Sequence, residues 1–119
     1  MPNVIETYAG LYFDYSDPKP EQVSIDDISR ALSFIARFGG HTRRRYSVAE
    51  HAVLVARLVA MEGHHNDVIF AALHHDSHEA YLGDVMTPLK TELEGPYRKL
   101  ETKINVAICA KLEIDPALL

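Results

Sequence analysis

The eleven residues HHDSHEAYLGD, positions 74–84, hold three histidines, two aspartates and one glutamate. That density of imidazole and carboxylate groups suits metal binding or proton transfer, so their spacing decides which. In a helix over residues 67–81, His75 and Glu79 stand four apart on one face, and Asp76 and Glu79 stand three apart. This face mixes nitrogen and oxygen donors, the set preferred by a borderline or hard divalent cation. His74 and His78 form a separate imidazole pair roughly 100° around the helix. They are read as a pocket-edge and a surface residue, not as ligands. A zincin would place glutamate directly after the first histidine of H-E-x-x-H, and His75 stands there instead, so a metalloprotease is excluded.

A third ligand must come from another element. His51 sits near the start of a second apolar-striped segment, beside inward-facing Val48 and Val55. The short Gly63-His64-His65-Asn66 connection lets that segment pack antiparallel to the one carrying His75 and Asp76. The start of one helix then meets the end of the other.

The rest of the pattern is helical. Ser24 with Asp27 opens a first helix, with Ile25, Ile28, Leu32 and Ile35 at helical spacing, and Gly39-Gly40 ends it. Ser47 with Glu50 is a capping box for the second helix, whose Val48, Ala52, Val55 and Val59 share a face before Gly63. Asn66 is placed to cap the third. Gly83 and Pro88 interrupt the chain, and Gly95-Pro96 begins a last helix with Leu100, Ile104, Ala107 and Ile108 inward and Lys99, Glu101 and Lys103 outward. The opening residues, aromatic at Tyr8, Tyr12, Phe13 and Tyr15, fit a short hairpin or extended arm. The expected fold is an all-α compact helical bundle with that non-helical N-terminal piece, in a single domain over residues 1–119.

Composition narrows the function. The chain has 119 residues, 47% of them hydrophobic, and a net charge of −5. That is enough apolar material for one core and too little basic surface for double-stranded nucleic acid. No apolar run reaches the length of a membrane span, and the first residues lack a secretory pattern, so the chain reads as cytoplasmic. The single Cys109, inside an apolar helical stretch, reads as a buried inert thiol. One basic island, His41-Thr-Arg-Arg-Arg-Tyr-Ser47, lies between Arg37 and His51. Positive groups near a metal-capable cluster in an acidic chain suit a small anionic ligand. Arg45 is the member of the arginine run taken as a contact for that ligand, and His41 is a further contact or base.

These motifs, in this order, carry a resemblance. YSVAEHAVLVA followed by AALHHDSHEAYLGDVMTPLK resembles the H…HD signature of the HD-superfamily metal-dependent phosphohydrolases. More narrowly it is similar to the branch holding bacterial 5′-deoxyribonucleotidases and phage dATP triphosphohydrolases. The likeness runs from about Ile25 to Leu112. It implies an HD-domain bundle, with His51, His75 and Asp76 as metal ligands and Glu79 as the acid that handles the attacking water. It implies a second catalytic carboxylate at Asp84 and phosphate contacts at Arg37 and Lys90. The cofactor implied is a divalent ion drawn from zinc, cobalt, manganese, magnesium, nickel and iron.

The function expected is hydrolysis of a nucleotide phosphoester, led by 5′-nucleotidase action on deoxyribonucleoside monophosphates. The runner-up is a dATP-type triphosphohydrolase. A third reading, of another class, is a non-catalytic nucleotide-binding module. That last reading rests on one departure: the family's fourth ligand is an aspartate on a later helix, and Asp115 falls before the expected place. The apolar end, Ile-Asp-Pro-Ala-Leu-Leu, is expected to lead into a further helix or to meet another chain. A homo-oligomer is the expected assembly.

Overall fold

The computed structural model describes residues 2–119. Two short strands, β1 (Val4–Glu6) and β2 (Tyr12–Asp14), form an antiparallel hairpin in the register Val4↔Asp14, Ile5↔Phe13, Glu6↔Tyr12. The helices are α1 (Ile25–Phe34), α2 (Val48–Met61), α3 (Asn66–Leu73), α4 (Glu79–Leu82) and α5 (Thr87–Leu112). The expected helical domain is therefore what forms. Among the described residues no helix is long and apolar enough to cross a membrane.

The hairpin is part of the core. Phe13 is fully buried, stacks on Tyr81 with ring centroids 4.0 Å apart, and meets Tyr15 edge-on at 5.1 Å. The Tyr15 hydroxyl donates to the Tyr81 carbonyl. Phe13 and Tyr81 join Val23, Ile28, Leu32, Val48, Ile104, Ala107 and Ile108 in one cluster that ties α1, α2, α4 and α5 together. Cys109 packs with Ala71 and Ile114 in a smaller cluster and is buried, as its sequence context predicts.

Capping residues set where α1 and α2 begin. Ser24 accepts from the Asp26 and Asp27 amides, and Ser47 with Glu50 closes both halves of a capping box. α1 stops earlier than the glycine pair suggests. After Phe34 the chain turns extended and bridges to the residues before α2: Arg37 donates its amide to the Tyr46 carbonyl, and Val48 donates to Ile35. Those bonds replace the next helical turn. Phe38, Gly39 and Gly40 then take left-handed conformations, and a Cβ on Gly39 would stand 3.4 Å from Met86. The loop carrying Arg37 is thus pinned at both ends.

The third helix departs most from expectation. It ends at Leu73, residues 74–78 form turns, and only the short α4 follows. In a continuous helix the Ala72 carbonyl would accept from the Asp76 amide. Instead it accepts from the His75 ring at 2.7 Å, while His74 Nδ1 pairs with Ser77 Oγ at 2.8 Å. Polar side chains here compete with the backbone ladder and win. His65, not Asn66, caps α3, accepting from the Asp67 amide. α5 also begins earlier than predicted, because Pro88 sits in its first turn, where no amide donor is needed. Glu94 (φ 50°, ψ −131°), followed by Gly95 and Pro96, splits α5 into two segments.

Candidate metal centre

The turn after α3 delivers His75 and Asp76 to the first turn of α2, where His51 waits. His75 Nε2 lies 3.0 Å and His51 Nε2 lies 3.6 Å from the same oxygen, Asp76 Oδ2. The two imidazole rings are 5.4 Å apart. Ligand atoms held about 2.0–2.1 Å from a tetrahedral zinc stand roughly 3.3 Å from one another, so this spacing fits one small cation with little movement. The tautomer fits too. His75 Nδ1 donates to the Ala72 carbonyl, which leaves Nε2 as the nitrogen that faces Asp76, bonded to it while protonated and able to ligate once that proton is released. The bond that breaks the helix is the bond that aims the ligand. His51, His75 and Asp76 are therefore a cluster able to hold a metal ion.

The electrostatics are those of a site held ready for a positive charge. Hydrogen bonding to Asp76 raises the His75 pKa against the opposing effect of burial. Burial lowers that of His51, helped by the nearby Arg37. Burial would raise the Asp76 pKa, yet the bond to His75 and the surrounding imidazoles outweigh it and hold the group at about 2. Glu79, 2% exposed, is pushed up to about 9 by burial and by the charges of Asp76 and Asp84. Its Oε1 has no hydrogen-bond partner.

These residues open onto a cleft of about 550 Å³. Arg37, His51, Asp76, Glu79, Asp84 and Lys90 line it, next to apolar Phe38 and Met86. Six of the nine residues singled out in the sequence therefore line one cavity, and His75 stands directly behind Asp76. Arg37 and Asp84 face each other across it, Nη1 to Oδ2 3.3 Å, with the Arg37 Nε buried and unpartnered. His41 and Arg45 are different: both are exposed, and neither lines the cleft. Asp115 caps the last turn through the Ala117 amide and stands outside the cluster.

The sequence reading missed a second polar layer behind Glu79. His78, expected at the surface or the pocket edge, is 5% exposed, and its Nε2 lies 3.2 Å from Glu101 Oε2. Glu101, expected outward, also sits 3.6 Å from Lys90 Nζ. Tyr97 and Asn105 flank it along α5, each with a buried unpartnered oxygen. The Tyr97 phenol is pushed up to about 12 by burial and then by Glu101, Glu79 and Asp84, which puts it beside the same carboxylates. The signal was present: Tyr97, Glu101 and Asn105 repeat every four residues, a polar stripe adjoining the apolar one of Leu100, Ile104 and Ile108.

No protein-family model matches the chain. It is 40% identical over 114 residues to the uncharacterized protein YfdR of Escherichia coli K12, an alignment covering 96% of this chain and 61% of that protein. It is 37% identical over 115 residues to an uncharacterized protein of Rhodobacter capsulatus, covering 93% of this chain and 58% of the relative. The chain thus spans about three fifths of the length of the curated relatives it matches.

Proposed function

We propose that the chain is an HD-type, divalent-metal-dependent phosphohydrolase acting on a nucleotide, with deoxyribonucleoside monophosphates as the leading substrates. The observation that carries this reading is one cleft in which the His51, His75 and Asp76 cluster meets a buried carboxylate, Glu79, and two cationic side chains, Arg37 and Lys90. The cleft volume falls within the range of about 300–1,000 Å³ found for small-molecule sites. His51, His75 and Asp76 would hold the ion.

When bound, a divalent ion would supply charge that polarises a phosphate oxygen and acidifies water, and it would oppose the burial and the carboxylate repulsion that keep Glu79 protonated. Glu79, buried beside the ion's position, would then take the proton of the attacking water. Arg37 exchanges Asp84 for a phosphate oxygen, offering the planar donor pair that suits it. Asp84, released, accepts from a sugar hydroxyl or assists the leaving oxygen. Lys90 holds the phosphate by point charge.

A second reading, hydrolysis of a triphosphate, draws support from the ground beyond Lys90. Two further concavities share that lysine with the cleft and continue past Thr91 to Arg98. A longer phosphate chain laid along that line would meet a second cation. The test is a panel of nucleoside mono- and triphosphates incubated with the metal-loaded protein, with phosphate and tripolyphosphate resolved as products. Phosphate from monophosphates supports the lead reading and tripolyphosphate supports the second. No product with any divalent metal sinks both.

A further inference from the structure

We propose that Glu101 is a positioning residue that holds Lys90, and the arm of α5 that carries it, in place over the cleft. This role rests on the reading of Lys90 as the phosphate contact and adds the group that orients it. Glu101 Oε2 lies 3.6 Å from Lys90 Nζ and 3.2 Å from His78 Nε2. One carboxylate therefore faces both a cleft-lining cation and the residue that leads into α4, where Glu79 stands.

Little else holds that arm. Residues 87–93 sit between two breaks in the chain, Gly83 (φ 80°) on one side and Glu94 (φ 50°, ψ −131°) on the other. None of them is buried, and all but Lys90 are exposed, Leu89 and Leu93 included. A helix this short draws its stability from a packed apolar face, and this one has none. Glu94 adds strain, because a residue with a side chain keeps such a positive φ only where its surroundings fix it. Among the described residues, the one salt bridge from the arm to the rest of the fold is Lys90 to Glu101, with the Tyr97 ring 6.0 Å from the same ammonium. Glu101 and Tyr97 stand beyond the break, on the segment whose Ile104, Ala107 and Ile108 belong to the core. The carboxylate thus ties a loose segment to a fixed one. A partly exposed pair of this kind is weak enough to open for a substrate phosphate, while it keeps Lys90 close to the place where that phosphate arrives.

Glu101→Gln separates the two contacts, since glutamine keeps an oxygen for His78 and has no charge for Lys90. Hydrogen exchange of the full chain, read peptide by peptide, should show residues 87–94 exchanging roughly tenfold faster in Glu101→Gln, with α2 unchanged. Lys90→Met should do the same, and the double variant should exchange no faster than either single one. In steady-state kinetics Glu101→Gln should raise the KM for nucleotide roughly fivefold with kcat within about twofold of wild type. Glu101→Ala, which also takes the acceptor from His78, should lower kcat as well; where it does not fold, the Gln and Met variants carry the test. Wild-type exchange of residues 87–94 in Glu101→Gln, or additive effects of the two substitutions, overturns the proposal. So does a KM that falls, because Glu101 would then only compete with phosphate for the lysine. A chain that hydrolyses no nucleotide sinks the proposed activity, while the exchange data still decide whether Glu101 holds the arm.

Discussion

Glu79→Gln should stabilise the metal-free protein at alkaline pH. The carboxyl pKa rises from 4.5 to about 9 on folding, driven by burial and then by Asp76 and Asp84. Between those values the unfolded chain has released the proton and the folded chain retains it, so stability falls as pH rises through that window. Over the roughly 3.5 units between the unfolded pKa and pH 8, at about 1.36 kcal/mol per unit, the ceiling is close to 5 kcal/mol. An effective dielectric well above that of a dry interior brings the expected loss to about 2 kcal/mol. Glutamine never ionises, and its amide can donate to Asp76, so the variant escapes this loss.

Three histidines act in the opposite sense. Burial depresses the pKa values of His51, His74 and His78, so they favour the folded state above the unfolded histidine value and weaken it as pH falls. They remain in both proteins, and the comparison of variant with wild type at each pH cancels them to first order. Thermal melts in chelator at pH 5 and pH 8 are the assay. The variant should gain roughly 8 °C over wild type at pH 8 and far less at pH 5. An advantage equal at both pH values, or none at pH 8, would refute the electrostatic account of Glu79.

His75→Ala, Asp76→Asn or His51→Ala should each lose most of the bound metal, checked by elemental analysis after dialysis; stoichiometric retention would remove that residue from the ligand set. Lys90→Ala should raise the KM for nucleotide roughly tenfold with a smaller effect on kcat, read by steady-state kinetics, and an unchanged KM would detach it from substrate. Phe13→Ala should cost about 3–5 kcal/mol in denaturant unfolding, since the ring is fully buried against Tyr81 and Tyr15; a loss below about 1 kcal/mol would show the hairpin to be an accessory.

Some of this was legible in residue order and some was not, and the division has a physical basis. Caps are local, so Ser24 and the Ser47 and Glu50 box marked the starts of α1 and α2. Apolar spacing placed Ile104, Ala107 and Ile108 in the core, and residue type at positions 51, 75 and 76 was enough to bring three ligand candidates together. Periodicity could not show where a helix stops inside a run that still looks helical. Leu73 is the last residue of α3 because two histidine rings and Ser77 make hydrogen bonds that a continuous ladder would forbid. The same limit hid the inner layer. Glu101 alternates with lysines and scores as solvent-facing by charge, whereas its side chain is drawn inward by His78 and Lys90, partners 23 and 11 residues away in the chain.

The two misreadings have one cause. Polar side chains at the end of α3 bond one another and the backbone at the expense of regular structure, and a polar stripe of α5 is drawn inward beside them; both choices are stable only where a core surrounds them. Phe13, stacked on Tyr81 two residues beyond Glu79, supplies part of that surround from the far end of the chain. The hairpin therefore bears on the chemistry: by fixing Tyr81 it fixes α4, and α4 begins at Glu79. A chain lacking residues 2–14 should accordingly lose the order of the carboxylate cluster before it loses α2. That order of loss can be followed by hydrogen exchange, in which early protection of residues 74–82 together with α2 would contradict it.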